Sequence, residues 1–153
     1  MSQPSFEEGV KKVIREYTWA AAFFKEMVQE LGKEKARDIA FTALCKLRVE
    51  AAHDLAKRLG GTFEAFCQPK REAAEKSEAV TIVEESKNHI TVRVGECAAW
   101  EAANRLGAPD MCRALCDTDP MFSQAYNPRM RYEAKLRKSD GDDVCEGTWR
   151  WEE

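Results

Sequence analysis

The 153-residue chain sets 24 Lys and Arg against 27 Asp and Glu, a net charge of −3, with 44% apolar and 33% charged residues. That is the composition of one ordinary globular domain, and it excludes a disordered chain and a strongly basic nucleic-acid or membrane-surface binder. No apolar run approaches the roughly 20 residues needed to span a bilayer, and the opening MSQPSFEEGV lacks the basic and apolar regions of a signal peptide, so a cytoplasmic location is expected.

Ser5 followed by Glu8 is a capping-box spacing that predicts a helix start. Phe6, Val10, Val13, Ile14, Tyr17, Ala21, Phe24, Val28 and Leu31 recur at steps of three and four, so residues 6–31 read as one amphipathic helix stopped by Gly32. A second helix follows with Ala36, Ile39, Ala40, Ala43, Leu44, Leu47, Ala51, Leu55 and Leu59 as its apolar face, ended by Gly60-Gly61. Cys45 beside that stripe reads as a core residue and His53 as a lone histidine on a charged helix. Thr62 caps a shorter third helix through about residue 76, with Phe63, Phe66 and Cys67 as its apolar contribution and Pro69 weakening its middle. The mixed charges of Lys70, Arg71, Glu72, Glu75 and Lys76 read as a solvated face.

At Ala79 the period changes. Val80 and Ile82, then Ile90, Val92 and Val94, alternate with polar residues around the turn residues Ser86-Lys87-Asn88, which predicts a hairpin with one buried face. Residues 97–106 have helical spacing and stop at Gly107, and Pro109-Asp110 begins another short helix. A second hairpin is expected from residues 129–137 and 144–151 around Ser139-Asp140-Gly141-Asp142, whose glycine suits positive φ and whose acids suit a turn. The expected fold is therefore α+β, with N-terminal helices packed on an antiparallel sheet of about four strands and two short helices between the hairpins. The expected organisation is a single domain, 1–153, with a helical half at about 5–76 and a sheet and cysteine-rich half at about 79–152. The chain has no GxGxxG or Walker-type loop, so no nucleotide cofactor is expected.

Chemistry-bearing residues concentrate between Cys97 and Cys145. Cys112 and Cys116 share a helix face, Cys97 sits at a strand-to-helix passage and Cys145 follows a tight turn. Three readings of this set stand side by side: packing cysteines, a zinc site built from Cys97, Cys112, Cys116 and Cys145 or from some of them with a carboxylate such as Glu101 or Glu133, and a reactive thiol. Asp117 and Asp119, just before Pro120, either terminate a helix or present carboxylates as a general base pair. Arg105, Arg113, Arg129 and Arg131 flank the segment as candidates for a substrate carboxylate, and Trp100 for core or pocket wall.

Cys97, Gly107-Ala108-Pro109, Cys112, Cys116-Asp117-Thr118-Asp119, Asn127-Pro128 and Gly141-Asp142-Asp143-Val144-Cys145 together resemble the L-2-amino-thiazoline-4-carboxylic acid hydrolase-like family over roughly residues 95–150. The resemblance implies hydrolytic opening of a small cyclic amidine or thiazoline carboxylate, with Asp119 and Cys116 catalytic and Arg113, Arg129 and Trp100 binding substrate. A more distant likeness is to 4-vinyl-reductase-type small-molecule-binding domains. It implies zinc on Cys97, Glu133 and Cys145, although Leu136 stands where that pattern has a further cysteine. The alternative function is thus a non-enzymatic ligand-binding or sensor domain with structural zinc. The expected partner is a small molecule, with neither nucleic acid nor membrane, and a homodimer through the apolar helices is a further expectation.

Overall fold

A computed structural model describes residues 5–152. Residues 1–4, which begin the MSQPSFEEGV stretch, and residue 153 lie outside it. The described elements are α1 (Phe6–Leu31), α2 (Lys33–Leu59), α3 (Phe63–Lys76), β1 (Val80–Ser86), β2 (His89–Val94), α4 (Ala98–Arg105), α5 (Pro109–Cys116), α6 (Asp119–Tyr126), β3 (Met130–Leu136) and β4 (Cys145–Trp151), with a 3-10 turn at Lys138–Asp140 before β4. The fold is α+β, as its alternating helical and period-two patterning predicts. No helix among the described residues is long and apolar enough to cross a membrane.

These residues form two compact units. The first runs through Leu44 and adds Glu96–Asp117; the second comprises Cys45–Gly95 and the chain from Thr118 onward. In the first unit the capping box of α1 is complete, with Ser5 Oγ accepting from the Glu8 N–H and Glu8 Oε2 accepting from the Ser5 N–H at 2.7 Å. Val10, Ala21 and Phe24 of its predicted stripe are buried. Ala21, Phe24, Ala36, Ala108 and Met111 make the core of this unit. Gly107 takes φ 68°, which lets the chain turn out of α4 into α5 without the steric cost a Cβ would bring.

The second unit holds a sheet in the order β1-β2-β4-β3, every pairing antiparallel. The two predicted hairpins therefore join through β2 and β4, with Ile90 opposite Trp149 and Val92 opposite Gly147. One sheet face carries Val80, Ile82, Ile90, Val92, Trp149, Trp151 and Met130, which pack with Ala52, Phe63, Phe66, Cys67 and Tyr126 from α2, α3 and α6. On the opposite face Thr91 and Thr148 are buried and share a hydrogen bond of 2.8 Å. Gly141 adopts φ 98°, the left-handed conformation its place in the turn predicts, and Asp142 Oδ2 accepts from the Arg137 N–H at 2.7 Å. A Cβ built on Gly147 would lie 2.5 Å from the Tyr132 ring, so this glycine lets that aromatic lie across the sheet.

Two sequence expectations change. A third short helix, α6, follows α5 where only two short helices were expected between the hairpins. Asp119, read with Asp117 as a possible helix terminator, instead begins α6, and Pro120 occupies its first turn, where its missing N–H costs nothing and its fixed φ helps. In α2 the buried positions are Ala36 and Ala52, whereas Ile39, Ala43, Leu47 and Ala51 of the predicted stripe are exposed. Apolar residues occupy more than one side of α2, so its pattern does not single out a face.

Candidate active site

The densest group of perturbed side chains lies in the second unit, around the start of α6. Asp119 is the first residue of that helix, where the unsatisfied N–H groups favour a carboxylate. The short helix is pinned by Ser123, whose hydroxyl donates to the Asp119 carbonyl at 2.8 Å, and by Tyr126, whose hydroxyl donates to the Thr62 carbonyl at 2.9 Å. Arg48, from the C-terminal half of α2, donates to Asp119 Oδ1 at 2.7 Å, and its guanidinium stacks over the Phe122 ring at 4.2 Å. The side chains of Arg48 and Asp119 retain only 31% and 27% of their exposure.

Burial pushes the Asp119 carboxyl above its ordinary value, even though Arg48, Arg137 and Lys70 all pull it down. Desolvation therefore outweighs three cations. Beside it, Lys70 of α3 sets its ammonium 3.4 Å from the centre of the Phe66 ring and 4.6 Å from that of Trp149. Burial lowers this lysine to about 8, against the opposing pull of Cys67 and Asp119. Cys67 is fully buried and its thiol is pushed up to about 11, which keeps it neutral. The aromatic surroundings are continuous: Phe66 meets Tyr126 at 4.9 Å and Trp149 at 6.0 Å, and Trp149 meets Tyr132 at 4.8 Å between ring centres.

This arrangement combines a carboxylate that burial raises and an amine that burial lowers with apolar walls that strengthen charge interactions. Such an environment suits proton transfer.

The residues expected from sequence separate into this group and others. Asp119 stands at its centre. Cys116 ends α5 in the first unit, where Cys112 is buried and Cys97 occupies the N-cap of α4 without a side-chain cap. Cys145 opens β4 in the second unit, where its sulfur accepts from the Lys138 N–H at 3.5 Å. All six cysteines are thiols. Among the described residues no group of three or more His, Cys, Asp or Glu is placed to hold a metal ion. Within the sheet, Glu133 is opposite Thr148 on the polar face, whereas Cys145 alternates with Gly147 and Trp149 on the core face. Glu133 is 66% exposed and pairs with Arg150, so it and Cys145 do not fit a shared zinc.

Arg113 grips Asp117 in the first unit at 3.0 and 3.2 Å, and Arg37 approaches the same carboxylate at 3.8 Å. These groups border an open groove of about 550 Å³ lined by Glu34, Arg37, Asp38, Phe41, Ala114 and Asp117. Arg129 is exposed before β3, where its N–H donates to Asn127 Oδ1. Trp100 is half-buried on α4, and its carbonyl accepts from Asn104.

Sequence reasoning missed Arg48 and Lys70. Lys70 was read with its neighbours as a solvated face, yet it follows Phe66 by four residues and Cys67 by three, spacings that place it on the apolar side of α3. That spacing was the available signal. Arg48 carried none, because its partner is 71 residues away.

The fold and this group define a small α+β protein with a partly buried carboxylate and lysine among aromatic rings. A model of the L-2-amino-thiazoline-4-carboxylic acid hydrolase family matches residues 12–149, and the chain belongs to that family. Its role is thus hydrolase-like at the level of the family. No curated protein is significantly similar to the chain. Among solved structures, the phenol-responsive sensory domain of the transcription activator PoxR with phenol is similar in fold, at 14% identity and TM-score 0.57, over 97% of this chain and 91% of that one. A trafficking protein particle complex subunit 3 from Naegleria fowleri, covalently bound to palmitic acid, aligns at 15% identity and TM-score 0.45 over 90% of this chain and 96% of that one.

Proposed function

We propose that the protein hydrolyses a small cyclic amidine or thiazoline carboxylate, with Asp119 as the base that activates water. The observation that carries this reading is the Asp119 carboxyl itself, raised by desolvation yet fixed in direction by Arg48 at 2.7 Å. A base is most effective when its proton affinity lies near the working pH, and a fixed orientation avoids reorganisation during the reaction. On an amino-thiazoline carboxylate, the water oxygen bonds to the ring carbon between sulfur and nitrogen while Asp119 takes a water proton and the C=N π pair moves to the ring nitrogen, which is protonated. The carbon–sulfur bond then breaks as the new hydroxyl loses its proton to become the carbonyl, the bonding pair going to sulfur, which ends as a thiol after protonation. The product is the open-chain N-carbamoyl cysteine. Family membership supports the reaction class, and the burial around Asp119 supports the residue.

The test is release of substrate thiol from L-2-amino-thiazoline-4-carboxylate by the wild type and by Asp119→Asn. We expect a loss of at least ~100-fold, the usual worth of a general base. A variant that keeps the wild-type rate would remove Asp119 from the mechanism.

A second reading is a ligand-binding domain without turnover, favoured by the linked rings of Phe66, Tyr126, Trp149 and Tyr132. The PoxR domain of similar fold is described as phenol-responsive. Calorimetric binding of phenol to a protein that turns over no thiazoline would select this reading.

A further inference from the structure

We infer that Lys70 is the residue that recognises the carboxylate of the ligand, and so sets specificity for anionic over neutral ring compounds. This inference rests on the hydrolase reading for the choice of ligand, but it is carried by the way Lys70 is held. Its side chain is half-buried on α3 among Phe66, Trp149, Cys67 and Asp119. Among the described residues it makes no salt bridge, and its hydrogen bond is to the Phe66 carbonyl at 3.3 Å. That carbonyl is already the helix partner of the Lys70 N–H, four residues on. An ammonium has three donors, so two of them face ring surfaces or open space.

The nearest carboxylate does not fill this gap. Asp119 is taken by Arg48 at 2.7 Å. Around Asp119 the charged groups are Arg48 from α2, Lys70 from α3 and Arg137 after β3, so three cations act on a single carboxylate. Cys67 on the same helix is neutral at ordinary pH, because its thiol lies near 11. A desolvated cation without an anion is costly, and the lowering of Lys70 to about 8 expresses that cost. A bound carboxylate removes it through a charge-assisted hydrogen bond, while the partly exposed Trp149 ring receives the apolar part of the ligand. No other described cation at this site combines ring packing on two sides with a missing anionic partner.

The experiment compares L-2-amino-thiazoline-4-carboxylate with its 4-carboxamide on the wild type, Lys70→Met and Lys70→Arg. For the carboxylate, KM in Lys70→Met should rise about 10- to 100-fold, the worth of one hydrogen bond to a charged group, with kcat changed much less. The carboxamide should show no such rise, and Lys70→Arg should recover part of the loss. In the wild type, KM for the carboxylate should climb above about pH 8 as the ammonium loses its proton, and Lys70→Arg should lose that limb. Equal preference for carboxylate over carboxamide in wild type and Lys70→Met overturns the inference while leaving the hydrolase reading intact. Where the wild type hydrolyses neither compound, the hydrolase reading fails and binding decides the inference. Calorimetry at pH 8.5 in two buffers of different ionisation enthalpy should then show proton uptake with the carboxylate in the wild type and none in Lys70→Met. No binding, or equal uptake in both, overturns it. Should Lys70→Met fail to fold by circular dichroism, Lys70→Gln replaces it in each comparison.

Discussion

Asp117 and Asp119 are two residues apart, yet they belong to different units and differ in their surroundings. Asp117 lies at the rim of an open groove, gripped by Arg113 with Arg37 nearby, its side chain 30% exposed. Asp119 lies among Phe122, Arg48 and the second core, where lost hydration raises its proton affinity against three cations. The same pairing of carboxylate with arginine thus borders a groove in one place and, in the other, holds a carboxyl that burial raises. What separates them is the apolar surface around the pair, since a Coulomb attraction grows and a hydration shell shrinks together as water is removed.

The largest effect that breaks this comparison is catalytic. Asp119→Asn should lower thiol release from the thiazoline carboxylate by at least ~100-fold, while Asp117→Asn, outside the proposed site, should stay within a few-fold of wild type. Equal losses in the two variants would show that the carboxylates act together.

Next comes the support for Asp119. Arg48→Met leaves a partly buried carboxylate without its partner and should cost about 2 kcal/mol in urea unfolding at neutral pH, between the values for exposed and fully buried pairs. The pH dependence has a definite sign. With Arg48 gone the carboxyl rises further, so protonation relieves the strain. The deficit should shrink as pH falls through the carboxylate range and grow as pH rises through it. A deficit independent of pH would point to lost packing on Phe122 alone.

Lys70 gives a comparable effect of opposite sign. Its proton affinity is lowered in the folded state, from 10.5 to about 8. The unfolded chain therefore binds more protons between those values, and this group makes folding more favourable as pH rises across that window. Below about pH 8 the full cost of the desolvated ammonium is present. Lys70→Met should thus be more stable than wild type at pH 7, by on the order of 2 kcal/mol, and the gain should fade toward pH 10.5. A destabilised Lys70→Met at pH 7 would show that the ring contacts outweigh the lost hydration.

Most of the fold was legible in residue patterns. The capping box at Ser5, the change of period at Ala79 and the turn at Gly141 each depend on neighbours within a few positions, and each forms as expected. The face of α2 was not legible, because Ile39 and Leu47 are as apolar as the residues that are buried. The candidate site was legible in part. Asp119 stood out as an acid beside a helix boundary, whereas Arg48 and Lys70 acquire their character from a distant helix start and from rings on α3 and β4. Burial of a charge is a property of tertiary packing, so no local pattern reports it except the spacing that puts Lys70 on the side of Phe66.

The smallest effect sharpens the contrast from the first unit. Arg105 makes a more elaborate ion pair than Arg48, with Glu7 at 2.8 and 2.9 Å and Glu101 at 2.8 Å. Geometry alone would rank it as the stronger strut. Its side chain is 41% exposed, however, so water already satisfies much of each charge and salt screens the attraction. Arg105→Ala should therefore shift the unfolding midpoint only slightly at low salt, and the shift should vanish in 1 M NaCl. Arg48→Met should keep its deficit in the same salt, because a partly buried pair is screened much less. Equal salt sensitivity of the two variants would mean that the Asp119 site is wet, and would remove the desolvation on which its proposed chemistry depends.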